Sequence, residues 1–194
     1  LLSPHFAMLL KAKAHAFPDV DLQVTIHHSE MVLESLLAHE SDFGFVTKCI
    51  PHPEIHYEPF CEEEYALAVP ANATKKFYEQ AGWIMYPGFD DISEKWRSKQ
   101  SKRDKTPASI DLTKDRTLKG RSNSLRAALT MVAHGLGITI APRHCMDAVE
   151  DRRLLKATTD GFRPAMNQIY IATLKRNSLP ARVNKTIETF RAMK

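Results

Sequence analysis

The chain has 194 residues, of which 43% are hydrophobic and 26% are charged, and its formal net charge is +4. This composition is typical of a globular chain long enough for one large core or two small ones, and no run of about 18 apolar residues could form a transmembrane helix. Three widely spaced cysteines without a C-x-x-C pair favour a reducing compartment, and the start does not resemble a signal peptide, so we expect a cytoplasmic protein.

The N-terminal quarter predicts two helices and two strands. Pro4 suits the first turn of a helix, and the apolar spacing continues to Pro18, which ends it. Alternating apolar and polar residues predict a strand over residues 21–27, Ser29 is expected to cap a helix, and residues 43–46 predict a short strand. The core face of the second helix is expected to be Val32, Leu33, Leu36 and Leu37. A helix between two strands predicts a right-handed parallel crossover.

Shorter patterns follow. Residues 55–60 and 65–69 predict two strands, of which the second ends at Pro70. The basic stretch of residues 95–105 contains no stacking aromatic residue besides Trp96, so we interpret it as a solvated helix and loop and not as a nucleic-acid contact. Up to residue 121 we further expect a helix over residues 74–81, a strand over 83–86 closed by a turn at Pro87 and Gly88, a weak helix over 92–100 and a strand over 116–121.

The most organised stretch is RSNSLRAALTMVAHGLGITIAP, residues 121–142. Its spacing predicts a helix over roughly residues 124–134 with an apolar stripe of Leu125, Leu129, Val132 and Leu136. Gly135 suits a left-handed helix cap, and residues 138–141 predict a short buried strand. The polar residues Ser122, Asn123 and Ser124 stand at the helix start, which in open α/β sheets lies at the edge where ligands bind.

The C-terminal part predicts three elements. A helix is expected over residues 143–152 and an apolar-rich strand over residues 168–174. Val183, Ile187 and Phe190 recur at helical spacing and predict a final helix.

The motifs support neither catalysis nor metal binding. Ser122 and Ser124 lack the flanking glycines of a G-x-S-x-G nucleophile elbow, and the two glycines of GLG follow a helix where a phosphate loop would open one. The histidine pairs at residues 27/28 and 52/56, and the His-Cys pair at residues 144/145, lack the count and spacing of a closed metal site. We therefore expect no enzyme, no cofactor and no metal ion. A ligand cleft at polar helix starts remains, although each serine taken singly is also explained as a helix cap.

A helix running into GLGI, a short strand and a proline resembles the effector-binding domain of LysR-type bacterial transcriptional regulators. The run FPDVDLQVTIHHSEMVLESLLAHESDFGFV is similar to the first subdomain of that family at Pro18, Leu22, Leu36, Leu37, Asp42 and Gly44. One departure is His39-Glu40, near which the family usually has a glycine. The stretch EEEYALAVPAN resembles the strand that crosses to the second subdomain, and residues 168–174 resemble the strand that returns.

The resemblance implies an α/β fold of two Rossmann-like subdomains joined by two crossover strands, similar to type II periplasmic binding proteins. Regulatory subdomain I is expected to comprise residues 1–69 and 171–194, and regulatory subdomain II residues 70–170. Because an α/β domain ordinarily leads with a strand, we expect the first strand of subdomain I before Leu1. The family's N-terminal winged helix-turn-helix domain is absent from these residues.

The function that the resemblance implies is sensing. A small effector, expected from the helix starts and His28 to be a carboxylate or similar anion, binds between the subdomains and controls DNA binding and transcription. We expect it to contact Ser3, His28, Ser29, Thr47, Pro87, Gly88, Phe89, Ser122, Asn123 and Ser124. A homodimer through the regulatory domains is expected, or a tetramer at full length, with no membrane contact. The alternative is a periplasmic solute-binding protein of a transporter, which shares the fold and the cleft.

Overall fold

The computed structural model describes residues 4–16, 18–99, 117–149, 152–158, 165–175 and 178–192. The elements in chain order are α1 (Pro4–Ala16), α2 (Ser29–Leu37), β1 (Gly44–Val46), β2 (Ile55–Pro70), α3 (Lys75–Gln80), β3 (Trp83–Met85), α4 (Phe89–Lys99), β4 (Leu118–Arg121), α5 (Leu125–Ala133), β5 (Thr139–Pro142), α6 (Arg143–Asp147), a 3-10 turn (Arg152–Leu154), β6 (Leu155–Thr158), β7 (Ala165–Leu174) and α7 (Ala181–Arg191). Within these ranges, no helix has the length and apolar character needed to cross a bilayer.

The chain divides into two compact units. Unit 1 comprises Leu1–Glu63 and Asn167–Lys194, and unit 2 comprises Glu64–Met166. Strands β2 and β7 each contribute residues to both units, so two strands connect them. The α/β class is the one that the sequence predicted. The predicted borders of the regulatory subdomains, at residues 69/70 and 170/171, stay a prediction.

Two apolar clusters form the core of unit 1. The larger one joins α1 and α7 to the strands and buries Leu9, Phe60, Ile171, Val183, Ile187 and Phe190. The smaller one joins α2 to the sheet and buries Leu33, Leu36, Val46, Ile55 and Ala172. The final helix and its three predicted core residues are therefore confirmed. On α2, two of the four residues predicted for the core face are fully buried, and the other two pack partly buried against the same cluster.

Residues 21–27 do not form the strand that the sequence predicted, although the structure describes all of them. Leu22 packs against the larger cluster of unit 1, but Val24 is exposed and Ile26 is 74% exposed. A strand requires a neighbour for its N–H and C=O groups, and an alternating sequence cannot supply one. The parallel crossover is therefore also wrong. β1 pairs antiparallel with β7, with Phe45 opposite Ile171.

β2 is a single strand of 16 residues where the sequence predicted two. Its C-terminal residues, from Tyr65 onward, are buried without alternation, so both faces of the strand are covered there. Leu67 lies opposite Ile140 of β5 and Thr158 of β6, and both pairings are antiparallel. A strand covered on both faces carries a continuous apolar run, so its burial cannot be inferred from period-two alternation.

Parallel strands organise the middle of unit 2. β3 pairs parallel with β4, and Ile138 forms a parallel bridge to Trp83 just before β5 begins. The helix α5 packs on this layer and buries Leu129 and Val132 completely. Leu136, which the sequence placed in the same stripe, is 48% exposed. The reason is that α5 ends at Ala133 and the chain then turns through a glycine with φ of 82° at residue 135.

Two helix boundaries and one strand in unit 2 differ from the sequence prediction. α4 begins at Phe89 instead of residue 92, and α6 ends at Asp147 instead of near residue 152. β6 was not predicted, because its four residues LKAT are too few to establish a period. The predicted helix α3, strands β3 and β4, helix α5 and strand β5 are confirmed to within a few residues.

Leu129→Ala tests whether α5 is held by the buried part of its stripe. We expect the variant to lose about 3 kcal/mol in free energy of unfolding, since a fully buried leucine loses transfer energy and leaves a cavity. The matched variant Leu136→Ala should change the free energy by less than about 0.5 kcal/mol, because that side chain is half exposed. Urea unfolding measures both, and equal losses would contradict the described end of α5.

His39→Gly tests the end of α2. His39 has φ of 58°, a left-handed conformation that costs a residue with a Cβ atom roughly 1–2 kcal/mol. Glycine avoids this cost but gains freedom in the unfolded chain. We therefore expect the free energy of unfolding of His39→Gly, measured with urea, to exceed that of His39→Ala by roughly 0.5–1 kcal/mol. The alanine variant is the control for removal of the ring. If both variants unfold together, the left-handed conformation carries no strain.

Candidate functional site

The start of α2 carries the predicted site residues of unit 1. The sequence predicted that Ser29 caps the helix, but Ser29 is the first residue of the helix itself. The N-cap is His28, whose side chain makes no capping hydrogen bond. The Ser29 Oγ accepts a hydrogen bond from the Thr47 N–H at 3.1 Å and lies 3.2 Å from the Thr47 Oγ1. Ser29 therefore ties the helix start to the residue that follows β1.

This arrangement distinguishes α2 from two other helices. At α3 the Thr74 Oγ1 accepts a hydrogen bond from the Phe77 N–H, and at α5 the Ser124 Oγ accepts one from the Ala127 N–H. The first N–H groups of a helix have no partner within the helix, and together with the helix dipole they attract negative charge. Because no side chain at the N-cap occupies this position on α2, its first turn is the better candidate for an anionic ligand.

Two titratable side chains flank that helix start. The His28 Nδ1 lies 3.0 Å from a carboxylate oxygen of Glu30, and both side chains are about half exposed. Glu30 belongs to the first turn of α2, where its negative charge is favourable next to the N–H groups. A protonated His28 would add positive charge to the site, whereas Glu30 would repel an anion. His28 is thus placed where a ligand at the helix start could accept a hydrogen bond from it.

In unit 2 the parallel pairing of β3 and β4 brings two predicted loops together. The loop after β3 contains Pro87 and Gly88, and the loop after β4 contains Ser122 and Asn123. The Ser122 N–H donates a hydrogen bond to the carbonyl of Met85 at 3.0 Å, which holds the two loops at the same edge. This edge is the carboxyl end of the parallel pair, where open α/β sheets bind ligands.

The serines of that edge already have local partners. The Ser122 Oγ accepts a hydrogen bond from the Ser124 N–H at 3.1 Å, and the Ser124 Oγ caps α5 through the Ala127 N–H at 3.5 Å. The predicted capping role of Ser124 is thereby confirmed. Asn123 is exposed between them. Of the three, Asn123 has the side chain that is least tied to the fold.

The side chain of Phe89 belongs to the core of unit 2. It opens α4 and is only 4% exposed, with its ring 5.3 Å from Trp83 and 5.9 Å from Tyr86. Its N–H is also occupied, since it donates to the Tyr86 carbonyl at 3.0 Å. Pro87 and Gly88 are exposed, and Gly88 turns the chain with φ of 81°. The loop therefore offers a ligand Pro87 and Gly88 far more readily than Phe89.

The predicted residues thus form one group in each unit. His28, Ser29 and Thr47 meet at the start of α2, and the other group lies at the β3/β4 edge. Ser3 lies outside the described residues. The hydrogen bond from Thr47 to Ser29 could not be found in the sequence, because these residues are 18 positions apart and belong to different elements.

The remaining side chains that could bind metal or act as nucleophiles lie apart from one another in the part of the chain that the structure describes. Among the described ranges, no group of three His, Cys, Asp or Glu residues could hold a metal ion. Cys49, Cys61 and Cys145 form no disulfide bond. Burial raises the pKa of Tyr57, whose hydroxyl donates to the Ile50 carbonyl at 2.7 Å, and the ion pair with Glu58 raises the pKa of Arg191. Both groups keep their ordinary charge at neutral pH.

Comparison with known proteins agrees with this fold. The family model described as LysR substrate binding domain matches residues 2–194. No curated protein matches the chain.

Several solved structures share the fold at low sequence identity. The regulatory domain of CcmR from Synechocystis PCC6803, in complex with 2-PG, has a TM-score of 0.77 and 15% identity, covering 97% of this chain and 90% of that one. The effector binding domain of QuiR in complex with shikimate has a TM-score of 0.75 and 12% identity, covering 98% and 90%. Full-length CbnR complexed with its target DNA has a TM-score of 0.68 and 18% identity, covering 96% of this chain and 65% of that one. At such identities the likeness shows the fold.

Ser124→Ala and Ser124→Asp test the capping role at the β3/β4 edge. Loss of the cap should lower the free energy of unfolding by about 1 kcal/mol, whereas aspartate caps a helix as well as serine and should leave it unchanged. Urea unfolding separates the two variants. If alanine and aspartate both leave stability unaltered, the hydroxyl does not cap α5.

Proposed function

This chain belongs to the family of LysR substrate binding domains, the effector-binding domains of LysR-type transcriptional regulators, and from that premise we propose that it binds a small anionic effector at the start of α2. The family match favours the regulator over the alternative of a transporter's solute-binding protein. The observation that carries the anionic preference is the start of α2, where no side chain caps the helix and two hydroxyl groups stand beside the free end.

The hydroxyl pair favours a ligand that accepts hydrogen bonds. The Ser29 Oγ already accepts a hydrogen bond from the Thr47 N–H, and one hydroxyl of the pair can donate to the other. If the Ser29 hydroxyl donates to Thr47, the hydroxyl hydrogen of Thr47 does not take part in this hydrogen bond. If the Thr47 hydroxyl donates, the same holds for the hydroxyl hydrogen of Ser29. In either arrangement one O–H remains to donate to a ligand oxygen. A carboxylate or phosphate combines such oxygens with the negative charge that the helix dipole favours.

We assign a second set of contacts to the β3/β4 edge of unit 2. Asn123 is the strongest member, because it is exposed and its neighbours Ser122 and Ser124 are engaged in local hydrogen bonds. The exposed turn at Pro87 and Gly88 adds a second loop beside it. Phe89 contributes indirectly, because its buried ring anchors the loop of Pro87 and Gly88 to the core.

The effector acts by shifting a conformational equilibrium, without turnover. A ligand changes the state of a DNA-binding domain only if it binds one arrangement of the regulator more tightly than another. We propose that a winged helix-turn-helix domain outside these residues makes the DNA contacts, and that the protein works in the cytoplasm without a cofactor. The bound effector should therefore be recovered chemically unchanged.

Carboxylates should raise the melting temperature of this domain more than their neutral amides do, because a ligand that binds only the folded state stabilises it. Shikimate and a panel of small carboxylates and phosphates, each paired with a neutral analogue, provide the probes. For the best anion, Ser29→Ala should weaken binding on the order of 10- to 100-fold, which is the loss of one hydrogen bond to a charged group. Isothermal titration measures the dissociation constants.

Ser35→Ala is the matched control, since Ser35 lies in the same helix and its hydroxyl also pairs with another hydroxyl, that of Ser41 at 2.7 Å. It should leave the affinity unchanged. Asn123→Ala should weaken binding if the β3/β4 edge contributes, and an unaltered affinity would remove that edge from the site. A panel in which neutral or cationic compounds alone bind would overturn the anionic preference. Equal losses in Ser29→Ala and Ser35→Ala would mean that the effect is on folding.

We further propose that the domain forms a homodimer through α1, which exposes Met8 and Leu10 at 46% each. Leu9 between them is buried, so Met8 and Leu10 flank the buried face of α1 on its two sides, and a partner that covers the outer face of the helix can contact both. The double variant Met8→Glu with Leu10→Glu should then be monomeric by analytical ultracentrifugation at a concentration where the unaltered domain is dimeric.

Gln23→Glu with Thr25→Glu is the control, because it adds the same two charges at exposed polar positions. It should remain dimeric. A dimer that survives the α1 variant would place the interface elsewhere, and an unaltered domain that is monomeric at all concentrations would overturn the proposal.

A further inference from the structure

No further inference is drawn: the strongest candidate, the exposed apolar side chains of Val24 and Ile26 on the irregular segment of residues 20–28 in unit 1, is an unpartnered surface patch, and nothing in the described part of the structure shows what covers it.

Discussion

The two-sided pairing of β2 is the constraint on which unit 2 depends. Leu67 and Ala68 each face a partner on β5 and another on β6, so the backbone polar groups of this apolar run are satisfied while its side chains leave water. A strand without these neighbours would expose a long apolar edge. The same pairing fixes β5, and through Ile138 it fixes the parallel layer of β3 and β4. The candidate loops of unit 2 therefore follow strands that are joined to β5 and, through it, to β2.

The starts of α2 in unit 1 and of α5 in unit 2 use the same residue type in different ways. Ser124 caps its own helix, whereas Ser29 is one residue further into α2 and bonds to Thr47 across the fold. A serine at the N-cap position caps its helix, whereas the serine at the first helical position links its helix to the residue that follows a strand. The consequence is chemical: the cap occupies the Ala127 N–H in the first turn of α5, whereas no side chain at the N-cap of α2 accepts from the N–H groups of its first turn.

Local patterns in the sequence were sufficient for most helices. The spacing of Val183, Ile187 and Phe190 predicted a core face that is buried, and Leu129 and Val132 of the predicted α5 stripe are buried as well. Gly135 and Gly88 adopt the left-handed backbone expected at a helix end and a turn. The family resemblance, carried mainly by the GLGI motif and residues 17–46, is confirmed by a family model that covers residues 2–194. The helices and turns depend on residues within about one or two helical turns of each other, so they can be predicted directly from the sequence.

Strand pairing and the site contacts were decided by the tertiary structure alone. The alternation at residues 21–27 is as regular as that of a strand, yet without a neighbour the segment stays irregular, while the four residues of β6 became a strand because β2 offered an edge. Phe89 and Ser29 were chosen as binding residues by position along the chain. That the Phe89 ring packs on Trp83 and the Ser29 hydroxyl bonds to Thr47 is visible only in the structure, because packing and hydrogen bonding join groups that are distant in sequence.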